Sequence, residues 1–239
     1  NGLYGAIRFL EVAKRAGLKP ILGTEIIQAQ HRAVLLAKSP EGYGNLCRLL
    51  SARHEDEPFE FIETIQRYRA GLVILSDDFQ ALTAWRAQSG EDLYVELTPG
   101  ADLQKAVSFS RQNCIPPVAT TRAALLRPSD FEAHRLLRAI AENTTLSRLP
   151  PDCCCAPSHW LMPSSVMARA LPHVPEALSN TRRIANQCAT AWDFQTTIFP
   201  SFREMSADGA VATLRAKTYN GAVWRYGVLS EVIRQRIEK

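Results

Sequence analysis

Acidic residues at the ends of short apolar strands are the first candidates for chemistry in this chain. Residues 20–27 (PILGTEII) carry Glu25 near their end, and residues 93–97 (LYVEL) carry Glu96. The run IPPVAT leads into Thr120, Thr121 and Arg122. Parallel α/β folds place their active sites at the carboxyl ends of strands. A carboxylate there can hold a hard or borderline cation through oxygen. One carboxylate is not a site, however: a hydrolytic metal centre needs three or more converging ligands, commonly including histidines. The five histidines do not follow the strand ends. His54 sits in the charged run SARHEDEP, His134 inside a helix, and His159 and His173 in the later region. His31 starts a strand, which puts it at the opposite end from a site at the strand termini. Surface or capping roles are the plain reading for all five.

Cys153, Cys154 and Cys155 are consecutive. Neighbouring side chains diverge, so they do not readily share one metal. Cys155 and His159 have a C-x3-H spacing, but no CxxC pair completes four ligands, and a plain loop is expected. The chain has no Walker A, GxGxxG or G-x-S-x-G motif. Arg182–Arg183, Arg135 with Arg138, and Arg234 with Arg236 form small basic groups on helices, read as solvated faces.

The elements that must position these residues follow from periodicity. Leu3, Ala6, Ile7, Leu10 and Ala13 recur at helical spacing, and the helix stops at Gly17 and Pro20. Strands are expected at 20–27, 32–37, 71–75, 93–97 and 115–120, and helices at 40–51, 59–68, 79–88 and 101–113. Ser129-Asp130-Phe131-Glu132 reads as a capping box ahead of Leu136, Leu137 and Ile140. Strands alternating with helices predict an α/β fold with a largely parallel sheet, as a barrel or an open sheet. After Asn143 the pattern changes. Residues 149–163 read as irregular, 164–171, 175–188, 207–224 and 228–239 as helices, and 196–203 as an extended connector.

The composition limits the alternatives. The 239 residues are 46% hydrophobic and 22% charged, enough apolar surface for a core. No apolar run approaches the ~18–20 residues that span a bilayer. No signal peptide is visible, and six cysteines without one suggest reduced thiols in the cytosol. A net charge of +4 is only mildly basic. The opening helix has no initiator methionine before it, so the chain reads as a fragment.

NGLYGAIRFLEVAKRAGLKPILGTEI and LLAKSPEGYGNLCRLLS, followed in order by GLVILS, LYVEL, PPVATT, SDFEAHRLLRAI and VPEALSNTRRIANQC, resemble the bacterial DNA polymerase III alpha subunit. The resemblance implies the polymerase-and-histidinol-phosphatase (PHP) domain. Its fold would be α/β, a distorted (β/α)7 barrel, here lacking its first strand and followed by a helical region. Residues 1–145 would form the barrel core, and 146–199 an irregular loop and helices completing the domain. Residues 200–239, with Phe199-Pro200-x-Phe202 at their start, would be a linker and the first edge of the polymerase palm.

Metal-bearing members of the family hold two or three ions in a His, Asp and Glu cluster and hydrolyse phosphoesters. Glu25 matches the family's glutamate ligand. The His-x-His and Asp-His that begin the pattern would precede Asn1. Where such members have a histidine after the LYVEL strand, this chain has Thr98-Pro99-Gly100; for their Asn-Asp-x-His it has Thr121-Arg122-Ala123-Ala124. Arg122 thus replaces a ligand aspartate and Ala124 a ligand histidine. Arg122 cannot ligate a cation, and is expected to pair with Glu25 in place of metal. The PHP metals are therefore expected to be absent. Catalytic residues and the Mg2+ of the parent polymerase would lie outside this segment. Its partners would be DNA, dNTPs and other replisome or repair subunits, with no membrane. The alternatives are a metal-dependent phosphoesterase or 3′–5′ exonuclease domain, and a stand-alone enzyme of the histidinol-phosphatase type.

Overall fold

A computed structural model of the chain describes residues 2–55, 58–100, 102–188, 192, 194, 202–203 and 205–238. The chain divides into two units, Asn1–Trp192 and Asp193–Lys239. In the first, α1 (Ala6–Arg15) leads into β1 (Gly23–Gln28) and β2 (His31–Ala37). Helices α2 (Pro40–His54) and α3 (Phe61–Arg67) follow, then β3 (Leu72–Ser76), α4 (Phe79–Gln88), β4 (Leu93–Leu97), α5 (Leu103–Asn113) and β5 (Pro117–Ala119). Helices α6 (Phe131–Ala141), α7 (Ser164–Ala170) and α8 (Pro175–Gln187) complete the unit.

The five strands form one open sheet in the order β1-β2-β3-β4-β5. This is the mixed α/β, barrel-like architecture expected, without closure among the described residues. The strand directions differ from the largely parallel expectation. β1–β2 and β2–β3 are antiparallel, and only β3–β4 and β4–β5 are parallel. Only Ala29 and Gln30 separate β1 from β2, far too few for the crossover that a parallel pair needs. Ala29 takes a φ of 51° to close this turn. Reversing β2 brings its amino end beside the carboxyl ends of β3 and β4.

Alternation along the strands separates two faces. Ile26, Leu35, Ile74, Leu93, Val95 and Leu97 pack against Leu46, Leu49, Ile65, Leu82 and Trp85 of the covering helices. Trp85 is fully buried and donates its indole N–H to the Ile62 carbonyl at 3.0 Å, which satisfies its polar atom. The other face carries Val73, Leu75, Tyr94 and Val118, packed with Ile184 of α8 and Cys188. α8 also covers the free edge of β5. Asn180 Nδ2 donates to the Pro117 carbonyl (2.7 Å) and Thr181 Oγ1 to the Ala119 carbonyl (2.9 Å), so two edge acceptors are met by side chains.

Local chemistry sets the helix starts. Ser39 accepts from Gly42 N at 3.2 Å and Pro40 occupies the first turn of α2. Asp78 caps α4 through Gln80 N and Ala81 N. The capping box expected from Ser129 and Glu132 is replaced by a one-turn 3-10 helix over Pro128–Asp130, in which the Asp130 carboxylate accepts from Arg127 N at 2.9 Å. The second unit contains α9 (Ala207–Tyr226), capped by Ser206, and α10 (Glu231–Ile237). Arg215 and Tyr219 of α9 both bond the Glu238 carboxylate. The extended connector expected over 196–203 lies, apart from Phe202 and Arg203, outside the described residues.

Candidate functional site

A cluster of alternating charges occupies the carboxyl end of the parallel strands. Arg32, at the start of β2, faces the same side as Glu25 on β1, and its Nε bonds Glu25 Oε1 at 2.5 Å. Its Nη1 bonds Glu96 Oε2 and lies 3.5 Å from Asp77 Oδ1. From beyond β5, Arg122 Nη2 reaches Asp77 Oδ2 at 2.6 Å and Glu96 Oε2 at 3.0 Å. Thr120 Oγ1 donates to Glu96 Oε1 at 2.6 Å. Glu96 therefore lies at the centre, its carboxylate bonded by two guanidiniums and a hydroxyl. Its side chain is 2% exposed, against 43% for Glu25 and 42% for Asp77.

Backbone and turn chemistry hold the cluster in shape. Ser76 Oγ donates to the Arg32 carbonyl (2.6 Å) and accepts from Asp78 N (3.0 Å), tying β2 to the loop that carries Asp77. Arg122 has a φ of 46°, a left-handed conformation that is strained for a side chain of this size. Its Nε is buried without a hydrogen-bond partner among the described residues. Burial pulls the Arg32 guanidinium down, but Glu96 and Glu25 outweigh it and hold its pKa above the ordinary value. His159 lies within electrostatic reach of the same groups. Burial first, and then Arg122 and Arg32, push its pKa below the usual imidazole value.

The expected pairs are rearranged. Arg122 binds Asp77 and Glu96, while Glu25 is held by Arg32. The reason is β2's direction: its reversed start delivers Arg32 between Glu25 and Glu96. His31 is corrected on the same ground, since it stands at the carboxyl end of the sheet and not opposite it. Its Nδ1 meets Asp78 Oδ2 at 2.5 Å and its ring stacks on Phe61 at 5.3 Å, so it helps fix the α4 cap. Ala124 contributes its backbone, donating N–H to the His159 carbonyl at 2.8 Å. His134 Nε2 accepts from Cys155 N at 3.1 Å, and the three consecutive cysteines are free thiols. Among the described residues, no group of three or more His, Cys, Asp or Glu side chains is arranged to hold a metal ion. Arg32 and Asp77 escaped the sequence reading. The two-residue gap between strands 20–27 and 32–37 was the available hairpin signal, without the Gly or Asn that usually marks one.

The fold and cluster define an open, barrel-like α/β unit with a charged carboxyl end. Residues 1–98 match the PHP domain family. The whole chain aligns at 28% identity with the error-prone DNA polymerase of Symbiobacterium thermophilum, covering 26% of that protein. It is 28% identical to the DNA polymerase III subunit alpha of Caulobacter vibrioides, over 84% of this chain and 21% of that one. The Pseudomonas aeruginosa subunit is 27% identical over 96% of this chain and 22% of its own length. The chain is thus a PHP region related to those of bacterial DNA polymerase III alpha subunits and error-prone DNA polymerases. It spans about a quarter or less of the relatives' length. No helix of the described residues is long and apolar enough to cross a membrane.

Proposed function

We propose that this chain is the PHP part of a DNA-directed DNA polymerase acting in replication or error-prone repair synthesis in the cytoplasm. The observation that carries the reading is the match of the full chain to one portion of much longer polymerases. On this reading residues 200–239 are the linker and palm edge. The polymerase acts on DNA and dNTPs, beside other replisome or repair subunits, with Mg2+ held outside residues 1–239.

The PHP segment itself serves as scaffold and interaction surface, with no catalytic residues of its own. Its charge cluster supports this role. A divalent ion near Glu25 or Glu96 would have to displace two guanidiniums already bonded to the carboxylates. Arginine neither ligates cations nor gives up its proton, so this donor set does not fit the metals of the family. Arg122 and Ala124, at positions where the family pattern has ligands, point the same way.

The complete gene product, tested on a primed template and on a 3′-labelled strand with Mg2+ or Mn2+, separates the readings. Primer extension without strand degradation that depends on Glu25 is the expected result. Degradation from the 3′ end that disappears in Glu25→Ala would overturn the scaffold role in favour of a phosphoesterase or exonuclease. A gene product that extends no primer but releases phosphate from a phosphomonoester would instead favour the histidinol-phosphatase type.

A further inference from the structure

Helix α6 presents its apolar side to solvent. Ala133, Leu136, Leu137, Ile140 and Ala141 recur at the i, i+3, i+4, i+7, i+8 spacing of a core-facing stripe. Yet Leu136 is 50%, Leu137 65% and Ile140 66% exposed, and Ala139 is the buried residue of the helix. The helix is held to its own unit by polar atoms instead. Arg138 Nε donates to the Cys153 carbonyl at 2.7 Å, and His134 accepts from Cys155 N. An amphipathic helix fixed through its polar side leaves its apolar side for another surface.

The charges flanking the stripe narrow the partner. Glu132 pairs with Arg135, and Arg138 with Glu142, on the same helix. Neutralised in this way, they offer no unbalanced positive charge to a phosphate backbone, so the stripe suits an apolar protein surface and not nucleic acid. Relatives of this chain are polymerases of which it covers only 21–26%. A polypeptide of that length supplies a large surface permanently tethered to α6, at an effective concentration no separate partner matches.

We propose that the α6 stripe is an intramolecular docking surface, covered by the polymerase body of the same polypeptide. The proposal rests on the polymerase reading above. Burying the stripe couples this unit to the rest of the enzyme, and Leu137, at its most exposed centre, anchors the contact.

The test is hydroxyl-radical footprinting of the complete gene product, reading oxidation of Leu136, Leu137 and Ile140 at several protein concentrations, with size-exclusion chromatography alongside. Protection of all three in the monomer, independent of concentration, is expected. Protection that appears only with dimerisation would overturn the proposal in favour of a second copy, and free oxidation of the monomer would overturn it outright. In a second variant, Leu137→Asp, the docking account expects oxidation of Leu136 and Ile140 to rise while the unit keeps its fold, because position 137 is exposed within the unit. Unchanged protection in that variant would count against docking through the stripe. A gene product that shows the protection but extends no primer would retire the polymerase reading and leave an intramolecular contact standing.

Discussion

Glu96 is the residue on which the charge cluster turns. It is nearly inaccessible and bonds Arg32, Arg122 and Thr120 together. Removing one partner from a buried ionic group leaves the others desolvated and underpaired. Glu96→Gln is therefore expected to cost about 3 kcal/mol, the low end of the usual range because Glu25 and Asp77 still hold the arginines. Glu25→Ala should cost no more than about 1 kcal/mol, since its carboxylate is half exposed and screened. Urea denaturation of both variants checks the order, and a larger loss at Glu25 would reverse the assignment of the central carboxylate. His159 makes a separate prediction. Its pKa is lowered on folding, so the unfolded chain binds the proton that the folded chain refuses. The stability linked to this group is complete above the ordinary value of 6.5 and is lost as pH falls from there toward the lowered folded value. Compared by denaturation between pH 7 and 5, the parent should lose more stability than His159→Gln. Glu25, Glu96 and Arg122 were legible in the sequence because strand ends and the family pattern point to them. Arg32 and Asp77 were not, because their part in the cluster depends on the direction in which β2 runs.

The helices and strands themselves were read closely. α4 and β4 fall at the expected residues, because a capping aspartate, apolar alternation and flanking turns agree there. The antiparallel hairpin was missed because Ala29 and Gln30 close it without typical turn residues. α6 shows a different limit: a stripe of apolar residues reveals a helix but not whether the surface that covers it lies in the same unit. Close packing between elements gives a further prediction. Gly71, with a φ of 70°, brings its carbonyl to the first turn of α2, where a Cβ on Gly42 would lie 2.0 Å from that oxygen. The same carbonyl accepts from Lys38 N at 2.9 Å, so it is not free to move away. Gly42→Ala should destabilise the unit by about 1–3 kcal/mol, as overpacking does. A thermal midpoint equal to the parent's would show that α2 and the Gly71 turn are not in contact.

The whole chain places an intact α/β scaffold beneath a strand-end cluster from which two arginines exclude cations. Its sheet is open, its β5 edge is covered by α8, and its relatives are far longer enzymes. On the proposed reading the unit contributes shape and surface to a polymerase, while the chemistry belongs to residues elsewhere. Retained metal is the most direct measure of that claim. The complete gene product and its Glu25→Ala form would each be incubated with Zn2+ or Mn2+, dialysed exhaustively and analysed for metal per chain. The account predicts equal content in the two, because Arg32 and Arg122 already neutralise the carboxylates. A stoichiometric ion retained by the parent and lost from Glu25→Ala would contradict it.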